Sequence, residues 1–274
     1  MNARTLVDGV ATAQVSADDR GLRYGDGLFE TIAFVAGRAP LWSRHMQRLT
    51  EGCARLALAA PDTSMLAREA ASVGAGTERS VVRITLTRGS GPRGYAPPAQ
   101  AQPVRIVSAS PMPEVAPDCY HRGVRMRRCD LRVSAQPRLA GIKHLNRLEN
   151  VLARAEWSDP SIAEGLLCDA HGNVVGATAA NVFAVLDGRL VTPALERCGV
   201  AGVARAQVLA WREDCAVRDL PMDELMRADE IFLTNAVRGI IPVASLDDRC
   251  WPLGPATCVL QRQWHELFVM ERRA

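Results

Sequence analysis

Apolar residues recur in this chain at two periods, and both periods occur within its first 110 residues. Over residues 43–60 they recur at steps of three and four, which predicts an amphipathic helix that Pro61 ends. Over residues 80–87 they alternate with polar residues, which predicts a strand with one buried face and a neighbouring strand at 104–108. A second helix is predicted over 64–73. Helices and strands in one segment of this size predict an α+β fold.

Three prolines close together mark a predicted domain boundary, because they form a stiff stretch without sustained periodicity. They are Pro111, Pro113 and Pro117. The sequence therefore predicts an N-terminal α/β domain over residues 1–110, a linker over 111–118 and a C-terminal domain over 119–274. A cleft between the two halves is the expected place for a ligand.

The C-terminal half is predicted to mix strands and helices as well. Asp187-Gly188 lies between two apolar runs and suits the positive φ values of a type I′ turn, which predicts a β-hairpin. A second hairpin is predicted to join residues 165–169 to 174–175. The remaining predicted elements are a strand containing Val124 and Met126, a helix over 145–157 with Leu145, Leu148, Leu152 and Ala155 on one face, a helix from Gly202 to about Glu213, a strand over 230–234 and a helix over 256–271.

The charge of the chain gives no sign of a polyanionic partner. The chain has 33 basic and 30 acidic residues, a net charge of +3, and its basic residues are spread along the sequence. This pattern argues against nucleic-acid binding and favours small molecules as partners. The first residues contain no apolar export segment, and no run of about 18 uncharged apolar residues occurs. A cytoplasmic protein that does not enter the membrane is therefore expected.

Cysteine and histidine are placed for packing rather than for metal or redox chemistry. The eight cysteines include no C-x-x-C pair and lie mostly in apolar runs, which predicts free structural thiols. The five histidines show no metal-binding spacing. No metal site is predicted.

Lysine is almost absent from this chain. Of the 33 basic residues, one is a lysine, Lys143, and the others are arginines. A guanidinium stays protonated, whereas a lysine amine can lose its proton, act as a base and form a Schiff base. Lys143 follows the apolar run 139–142 and precedes a predicted helix, which favours a reactive amine over a chance residue on a solvated face.

Two further segments suit the phosphate of a Schiff-base cofactor such as pyridoxal phosphate, which needs backbone N–H groups and an arginine. The turn 199–202 has glycine at both ends and precedes a predicted helix, although such turns are also common as plain helix caps. Arg48 lies on the helix predicted over 43–60, where it is either directed inward or a surface charge.

Arg88 and Arg93 lie on a Gly/Pro loop and suit a substrate carboxylate, the alternative being a solvated loop.

Several longer runs resemble one family of enzymes. They are Arg23 to Glu30, His45 to Leu49, Thr87 to Tyr95, Ala140 to Val151, Ala180 to Phe183 and Ala228 to Pro242. On these runs, which span nearly the whole chain, the protein resembles the fold-type IV pyridoxal-phosphate enzymes. That family includes branched-chain aminotransferases, D-amino-acid aminotransferases and aminodeoxychorismate lyases. The runs 87–95 and 140–151 are similar to the lyase branch in particular.

The resemblance implies a two-domain, D-amino-acid aminotransferase-like architecture, with a smaller N-terminal α/β domain and a barrel-like sheet in the C-terminal domain. It implies pyridoxal 5′-phosphate as cofactor, bound by Lys143 as an internal aldimine, with Lys143 later moving the substrate's proton. Arg48 would bind the phosphate, and the backbone N–H groups that would assist it belong to Val203, Ala204, Asn235 and Ala236. In a homodimer with its active site near the subunit interface, Arg93 and Tyr95 of the neighbouring subunit would bind a substrate carboxylate. Tyr24 would lie near cofactor or substrate.

The chain departs from the family pattern at two positions. Gly176 stands where members commonly place a glutamate on the pyridine nitrogen, and Leu22 stands where some lyases carry a threonine. The expected activity converts 4-amino-4-deoxychorismate to 4-aminobenzoate and pyruvate, for folate synthesis. Because this elimination ends in an aromatic ring, it is expected to need the glutamate less than transamination does. The alternatives are a D-amino-acid or branched-chain aminotransferase, which needs an oxo-acid acceptor, and a catalytically silent binding protein.

Overall fold

The computed structural model describes residues 4–269, which form two compact units. The first unit contains the chain up to Met112 together with Ile142–Asn146. The second contains Pro113–Gly141 and the chain from Arg147 onward. The short segment around Lys143 therefore belongs to the unit built from the N-terminal part of the chain.

The first unit is a five-stranded antiparallel sheet with the strand order β2-β1-β5-β4-β3 and helices packed on it. Its elements are β1 (Thr5–Val7), β2 (Val10–Ala11), α1 (Arg20–Tyr24), β3 (Gly27–Val35), α2 (Trp42–Leu56), α3 (Thr63–Gly74), β4 (Arg79–Thr87) and β5 (Val104–Pro111). Helix α2 packs against β3, and α3 packs against β4 and β5.

Alternation in the sequence becomes a buried sheet face in this unit. Val82, Ile84 and Leu86 of β4 are each exposed by 2% or less. Strand β5 pairs with β4 along its length, so both predicted strands are confirmed. Helix α3 confirms the second predicted helix.

The apolar stripe of α2 also faces the core, where Met46, Leu49 and Cys53 are buried. The helix ends at Leu56, before the predicted end at residue 60. Ala57 adopts a left-handed conformation there, and its N–H closes on the carbonyls of the preceding turn. The turn that ends the helix is therefore local and does not depend on the proline further along.

The second unit contains a curled sheet of nine strands, in the order β11-β10-β9-β12-β13-β6-β7-β8 with β14 paired to β13. Its strands are β6 (Val124–Val133), β7 (Ile162–Asp169), β8 (Val174–Ala177), β9 (Asn181–Leu186), β10 (Arg189–Pro193), β11 (Ala216–Arg218), β12 (Glu230–Asn235), β13 (Gly239–Leu246) and β14 (Arg249–Cys250). Its helices are α4 (Pro117–His121), α5 (Leu148–Arg154), α6 (Val203–Trp211), α7 (Met222–Leu225) and α8 (Pro255–Val269). Strand β6 lies parallel to both β13 and β7. The mixed sheet confirms the predicted α+β class.

Both predicted hairpins are present in this sheet. Strands β9 and β10 are antiparallel and are joined through Asp187 and Gly188, whose φ values are +50° and +74°. Two positive φ values are what a type I′ turn requires. Strands β7 and β8 also pair in antiparallel fashion. The predicted end of the last helix, at residue 271, lies outside the described residues.

The helix predicted over 145–157 is shorter than expected, and its apolar face is not part of the core. Helix α5 covers Leu148–Arg154. Leu148 and Leu152 are exposed by 68% and 54%, whereas Ala153 is buried. The regular spacing of these leucines produces an apolar surface on the chain rather than a buried one.

Burial makes several of the cysteines poorly reactive thiols. All eight are free, and burial raises the pKa of Cys53 to about 11 and that of Cys129 to about 12. In residues 4–269, no cluster of His, Cys, Asp or Glu side chains is arranged to hold a metal ion. In the same range no helix is long and apolar enough to cross a membrane.

Candidate active site

Lys143 is attached to the sheet of the first unit by backbone hydrogen bonds. The amide of Phe29 in β3 donates to the Lys143 carbonyl over 3.0 Å, and the amide of Leu145 donates to the Gly27 carbonyl over 2.9 Å. The Nζ atom of Lys143 lies 4.3 Å from the centroid of the Phe29 ring. Because a cation is attracted to the face of an aromatic ring, Phe29 holds the amine while the strand pairing holds its backbone.

Glu30, the next residue of β3, is bound by two side chains of α2. Its carboxylate accepts hydrogen bonds from Nε and Nη2 of Arg48 over 2.8 and 2.5 Å, in the two-pronged geometry that suits arginine. Nδ1 of His45 lies 2.6 Å from the same carboxylate. His45 and Arg48 are three residues apart, and residues at that spacing share one face of a helix. Glu30 and His45 are each only 1% exposed.

The charges around Glu30 decide which of these groups is ionised. Burial acts to raise the pKa of Glu30, but Arg48 and His45 outweigh it and hold the pKa below its ordinary value. Burial lowers the pKa of His45, and the charges of Arg48 and Lys143 lower it further, against the opposing effect of Glu30. At neutral pH Glu30 is therefore an anion, and His45 is a neutral ring whose Nδ1–H donates to it.

The structure thus brings Lys143 and Arg48, both predicted from the sequence, into one unit and around one histidine. Arg48 is directed inward, since its side chain is 12% exposed. Glu30 and His45 were missed as partners of Arg48. Both lie in runs that carry the family resemblance, but only the packing of α2 on β3 brings them together.

The Gly/Pro loop after β4 contains one buried and one exposed arginine. Arg88 is 7% exposed and donates to the Asp26 carboxylate and to the carbonyls of Leu56 and Ala57. Arg88 therefore fits neither interpretation left open by the sequence, a substrate-binding guanidinium or a residue of a solvated loop, because each of its three side-chain nitrogens already donates inside the first unit. Arg93, in contrast, is exposed.

Tyr24 and Tyr95, both assigned to the substrate from the sequence, contact each other in the first unit. Their ring centroids are 5.5 Å apart in an edge-to-face arrangement. The Tyr24 hydroxyl accepts a hydrogen bond from the Gly94 amide over 3.3 Å. Tyr95 is 86% exposed and Leu22 is 70% exposed. The structure therefore gathers Tyr24 and the loop carrying Tyr95 at one surface.

In the second unit, the turn 199–202 leads into helix α6, with Gly202 as its N-cap residue. A Cβ on Gly202 would lie 2.0 Å from Oδ1 of Asn181, whose side-chain amide donates to the Val200 carbonyl over 2.8 Å. Only glycine lets Asn181 approach and fix the turn in this way. The amides of Val203 and Ala204 begin the helix, where N–H groups lack intrahelical acceptors and bind anions well.

The end of β12 provides the other predicted backbone donors. Oδ1 of Asn235 accepts hydrogen bonds from the amides of Val237 and Arg238 over 2.8 and 3.0 Å, which folds the chain into a tight turn. Thr234 pairs in register with Asn181 of β9. Asn181 therefore links this turn to the one before α6. Sequence reasoning identified both turns but not the asparagine that connects them.

These donors fit the cofactor that the sequence implies. A phosphate ester needs a guanidinium and several backbone amides. Within the first unit Arg48 offers a guanidinium, and within the second unit the turns before α6 and after β12 consist of backbone amides. The close approach of Asn181 leaves no room for a side chain at Gly202, so the turn before α6 presents only backbone at that position. A carbonyl group needs an amine, which Lys143 offers.

Gly176 lies on β8, where the nearest atom to an added Cβ is the Ala180 carbonyl oxygen at 3.1 Å. Glu164 of the neighbouring β7 is 3% exposed. Its carboxylate is bound by the Thr178 hydroxyl and the Arg238 guanidinium. The negative charge of Glu164 is therefore already paired within the second unit.

Residues 27–246, most of this chain, match the family model for the amino-transferase class IV proteins. This chain belongs to the class IV aminotransferase family. Class IV enzymes use pyridoxal 5′-phosphate, which is the cofactor predicted from the sequence. The match confirms the predicted family on residues that include Lys143 and Arg48.

Two lyases and one aminotransferase illustrate what this class IV chain is similar to. It is 34% identical over 263 residues to the aminodeoxychorismate lyase of Vibrio harveyi, covering 93% of this chain and 97% of that protein. It is 33% identical to a putative branched-chain-amino-acid aminotransferase of Methanocaldococcus jannaschii, covering 86% and 84%. The solved structure of 4-amino-4-deoxychorismate lyase from Pseudomonas aeruginosa is similar with a TM-score of 0.92 and 51% identity, covering 96% and 98%. The predicted two-domain, fold-type IV architecture is confirmed.

Proposed function

We propose that this protein is an aminodeoxychorismate lyase, which converts 4-amino-4-deoxychorismate to 4-aminobenzoate and pyruvate and so serves folate synthesis. The observation that carries the proposal is the likeness to the Pseudomonas aeruginosa lyase, at 51% identity along nearly the whole of both chains. The placement of Lys143 against Phe29, beside the cluster of Glu30 and Arg48, supports it with a reactive amine and a fixed guanidinium.

Each residue assigned to the cofactor has a defined task in this proposal. Lys143 binds the cofactor through its amine. Arg48, oriented by Glu30, binds the phosphate. The backbone amides of Val203, Ala204, Asn235 and Ala236 donate to the same phosphate. When bound, pyridoxal phosphate withdraws electrons from the carbon that carries the substrate amine and so makes its proton removable.

The residues that act on the substrate are Lys143 and the aromatic and basic groups of the first unit. The Lys143 amine takes the proton from C4 of the substrate. Loss of that proton and of the enolpyruvyl group from the neighbouring carbon leaves an aromatic ring. Arg93 and Tyr95 bind a substrate carboxylate, with Tyr24 beside them. Arg93 is exposed and so has a guanidinium to offer.

The proposal is tested by measuring 4-aminobenzoate and pyruvate released from 4-amino-4-deoxychorismate without any added oxo acid. The wild type is expected to form both products in equal amounts. Lys143→Ala removes the amine, and Lys143→Arg keeps a cation over the Phe29 ring but supplies no reactive amine, so neither variant should form product. A wild type that carries the cofactor and forms no product would refute the lyase.

A second candidate is an aminotransferase on the same fold, which the likeness to the Methanocaldococcus jannaschii protein favours. This activity needs an oxo-acid acceptor, whereas the lyase does not. Adding 2-oxoglutarate together with branched-chain or D-amino acids to the same wild-type preparation distinguishes the two. Turnover that appears only with the acceptor would assign the protein to this second activity.

We also propose that the protein is a cytoplasmic homodimer. Leu148, Val151 and Leu152 give α5 an exposed apolar face, with exposed fractions from 54% to 68%. Such a face is commonly covered by another subunit. The free cysteines suit a reducing compartment. In this dimer the loop carrying Arg93 acts on the neighbouring subunit's substrate, close to the interface.

A further inference from the structure

Arg20 is a buried cation that binds one exposed loop of the first unit. The Arg20 residue is 3% exposed, although it lies at the start of the short helix α1. Its Nη1 donates to the carbonyls of Gly94 and Ala96 over 3.0 and 3.3 Å, and its Nη2 donates to the carbonyl of Tyr95 over 2.9 Å. One guanidinium therefore holds three successive carbonyl oxygens of the loop 89–96.

The Arg20 guanidinium is also bound by a carboxylate of the first unit. Its Nε donates to the Asp26 carboxylate over 2.9 Å, and the same oxygen accepts from Arg88 over 2.8 Å. Burial acts to raise the pKa of Asp26, but Arg88 and Arg20 outweigh it, and the pKa lies below its ordinary value. The Arg20 guanidinium also lies 4.9 Å from the centroid of the Tyr24 ring. Arg20 is thus clamped between an ionised carboxylate and the loop.

The loop has contacts to α1 at both of its ends. At the near end the Arg20 amide donates to the Gly89 carbonyl over 2.9 Å, and Gly89 adopts a φ of +80°. At the far end lie the three carbonyls held by the guanidinium and the hydrogen bond from the Gly94 amide to Tyr24. Between these ends, Arg93 projects into solvent. A single loop carbonyl can accept a hydrogen bond from any donor. Binding three successive carbonyl oxygens with one side chain requires the several N–H groups of a planar guanidinium, and therefore arginine.

We propose that Arg20 is a positioning residue that sets the conformation of the loop 89–96, and through it the place where Arg93 and Tyr95 meet the substrate carboxylate. The second half of this inference rests on the proposed function. Its first half, that Arg20 holds the loop 89–96 in place and so acts as a tether, concerns only contacts within the first unit. The two halves are therefore tested by different measurements.

The tether is tested by limited trypsin digestion, because Arg93–Gly94 is a cleavable bond in the middle of the loop. Arg20→Met keeps an unbranched side chain as far as the position of Nε and removes every charged donor. Arg20→Lys keeps the charge toward Asp26 but lacks the planar guanidinium. We expect cleavage at Arg93 to be at least about tenfold faster in both variants, since opening the loop no longer breaks the three hydrogen bonds that the guanidinium donates. Cleavage at the exposed Arg122, in the second unit, provides the internal standard and stays at the wild-type rate.

The matched control is Arg23→Met, which removes an exposed arginine from the same helix. Arg23 pairs with the exposed Asp18 and has no contact with the loop among those described for it. We expect its digestion pattern to match that of the wild type. An unchanged rate at Arg93 in Arg20→Lys, in a protein whose Arg122 is cleaved normally, would overturn the tether.

The effect on the substrate is tested by a separation of KM from kcat in the lyase assay, with the Kd for pyridoxal phosphate measured alongside. Arg20→Lys is expected to raise the KM by about tenfold and to change kcat by less than about threefold, since the loop binds substrate but does not move the proton. The Kd for the cofactor stays at the wild-type value. Faster cleavage at Arg93 with an unchanged KM would refute the link to the substrate and leave the tether in place. A wild type without lyase activity would refute the proposed function alone, because the digestion does not depend on it.

Discussion

Replacing Glu30 with glutamine removes the negative charge that orients Arg48 and keeps the shape of the side chain. In the wild type the guanidinium meets two carboxylate oxygens, at 2.8 and 2.5 Å. In Glu30→Gln one of these oxygens becomes an amide NH₂ group, which is itself a donor. Arg48 therefore loses one of its two acceptors, and the remaining one carries no charge.

The magnitude follows from the bonds that are lost. A hydrogen bond to a charged group contributes about 1.5–3 kcal/mol. If the fixed guanidinium makes one such bond to the phosphate, its loss raises the Kd for pyridoxal phosphate about 10- to 100-fold. Removing one partner of a buried ion pair also costs about 3–5 kcal/mol of stability, so the unfolding midpoint should fall.

The assay is an absorbance titration of the cofactor-free protein with pyridoxal 5′-phosphate and, separately, with pyridoxal. We expect Glu30→Gln to weaken binding of the phosphorylated compound and to leave the binding of pyridoxal unchanged, because Glu30 acts through Arg48. Glu51→Gln is the control, since Glu51 is an exposed carboxylate of the same helix that accepts from Gln47. Equal weakening of both compounds, or wild-type binding of pyridoxal phosphate, would refute the orienting role of Glu30.

Three further outcomes are expected. Gly176→Glu should raise any transaminase activity more than the lyase rate, measured with and without an oxo acid. An equal gain in both would contradict this. Leu152→Lys should turn the proposed dimer into monomers at micromolar concentration in sedimentation experiments, because it places a charge on the exposed face of α5, whereas Val217→Lys on β11 should not. Burial lowers the pKa of His45, so stability should fall as the pH drops below about 6.5, where the unfolded histidine takes up a proton and the folded one does not. Denaturant midpoints from pH 8 to 5 should show a shallower fall in His45→Gln.

The sequence pointed to Lys143 and to Arg48 in different ways. Lys143 is distinguished by composition, because the other basic residues are arginines. The helix pattern left Arg48 either inward or on the surface, and the family resemblance alone assigned it to the phosphate. Local sequence patterns predict the helices and hairpins themselves, since the helix and hairpin periods depend on near neighbours. The partners of Arg48 could not be found in this way. Glu30 reaches Arg48 only after a strand and a helix have packed.

At two places the sequence pattern does not show where side chains lie, because burial is a property of the folded chain. Arg88 follows a strand and precedes glycines, a pattern typical of a solvated loop, but Asp26 and two carbonyls at the end of α2 draw it inward. Leu148 and Leu152 have the spacing of a core stripe, and yet they face outward. Periodicity shows that a helix has an apolar face. It does not show whether the same chain or another one covers that face.

The run from Gly25 to Glu30 contains, within six residues, two carboxylates that each fix an arginine. Asp26, just before β3, is the acceptor that fixes Arg20 and thereby the loop with the exposed arginine. Glu30, four residues later, fixes the arginine of α2. Between them Gly27 lies so close to β4 that a Cβ would stand 2.3 Å from a backbone oxygen. Any side chain at that position would move β3 away from β4, and with it both carboxylates. Close strand packing at Gly27 therefore sets the positions of both carboxylates, and through them those of Arg20 and Arg48.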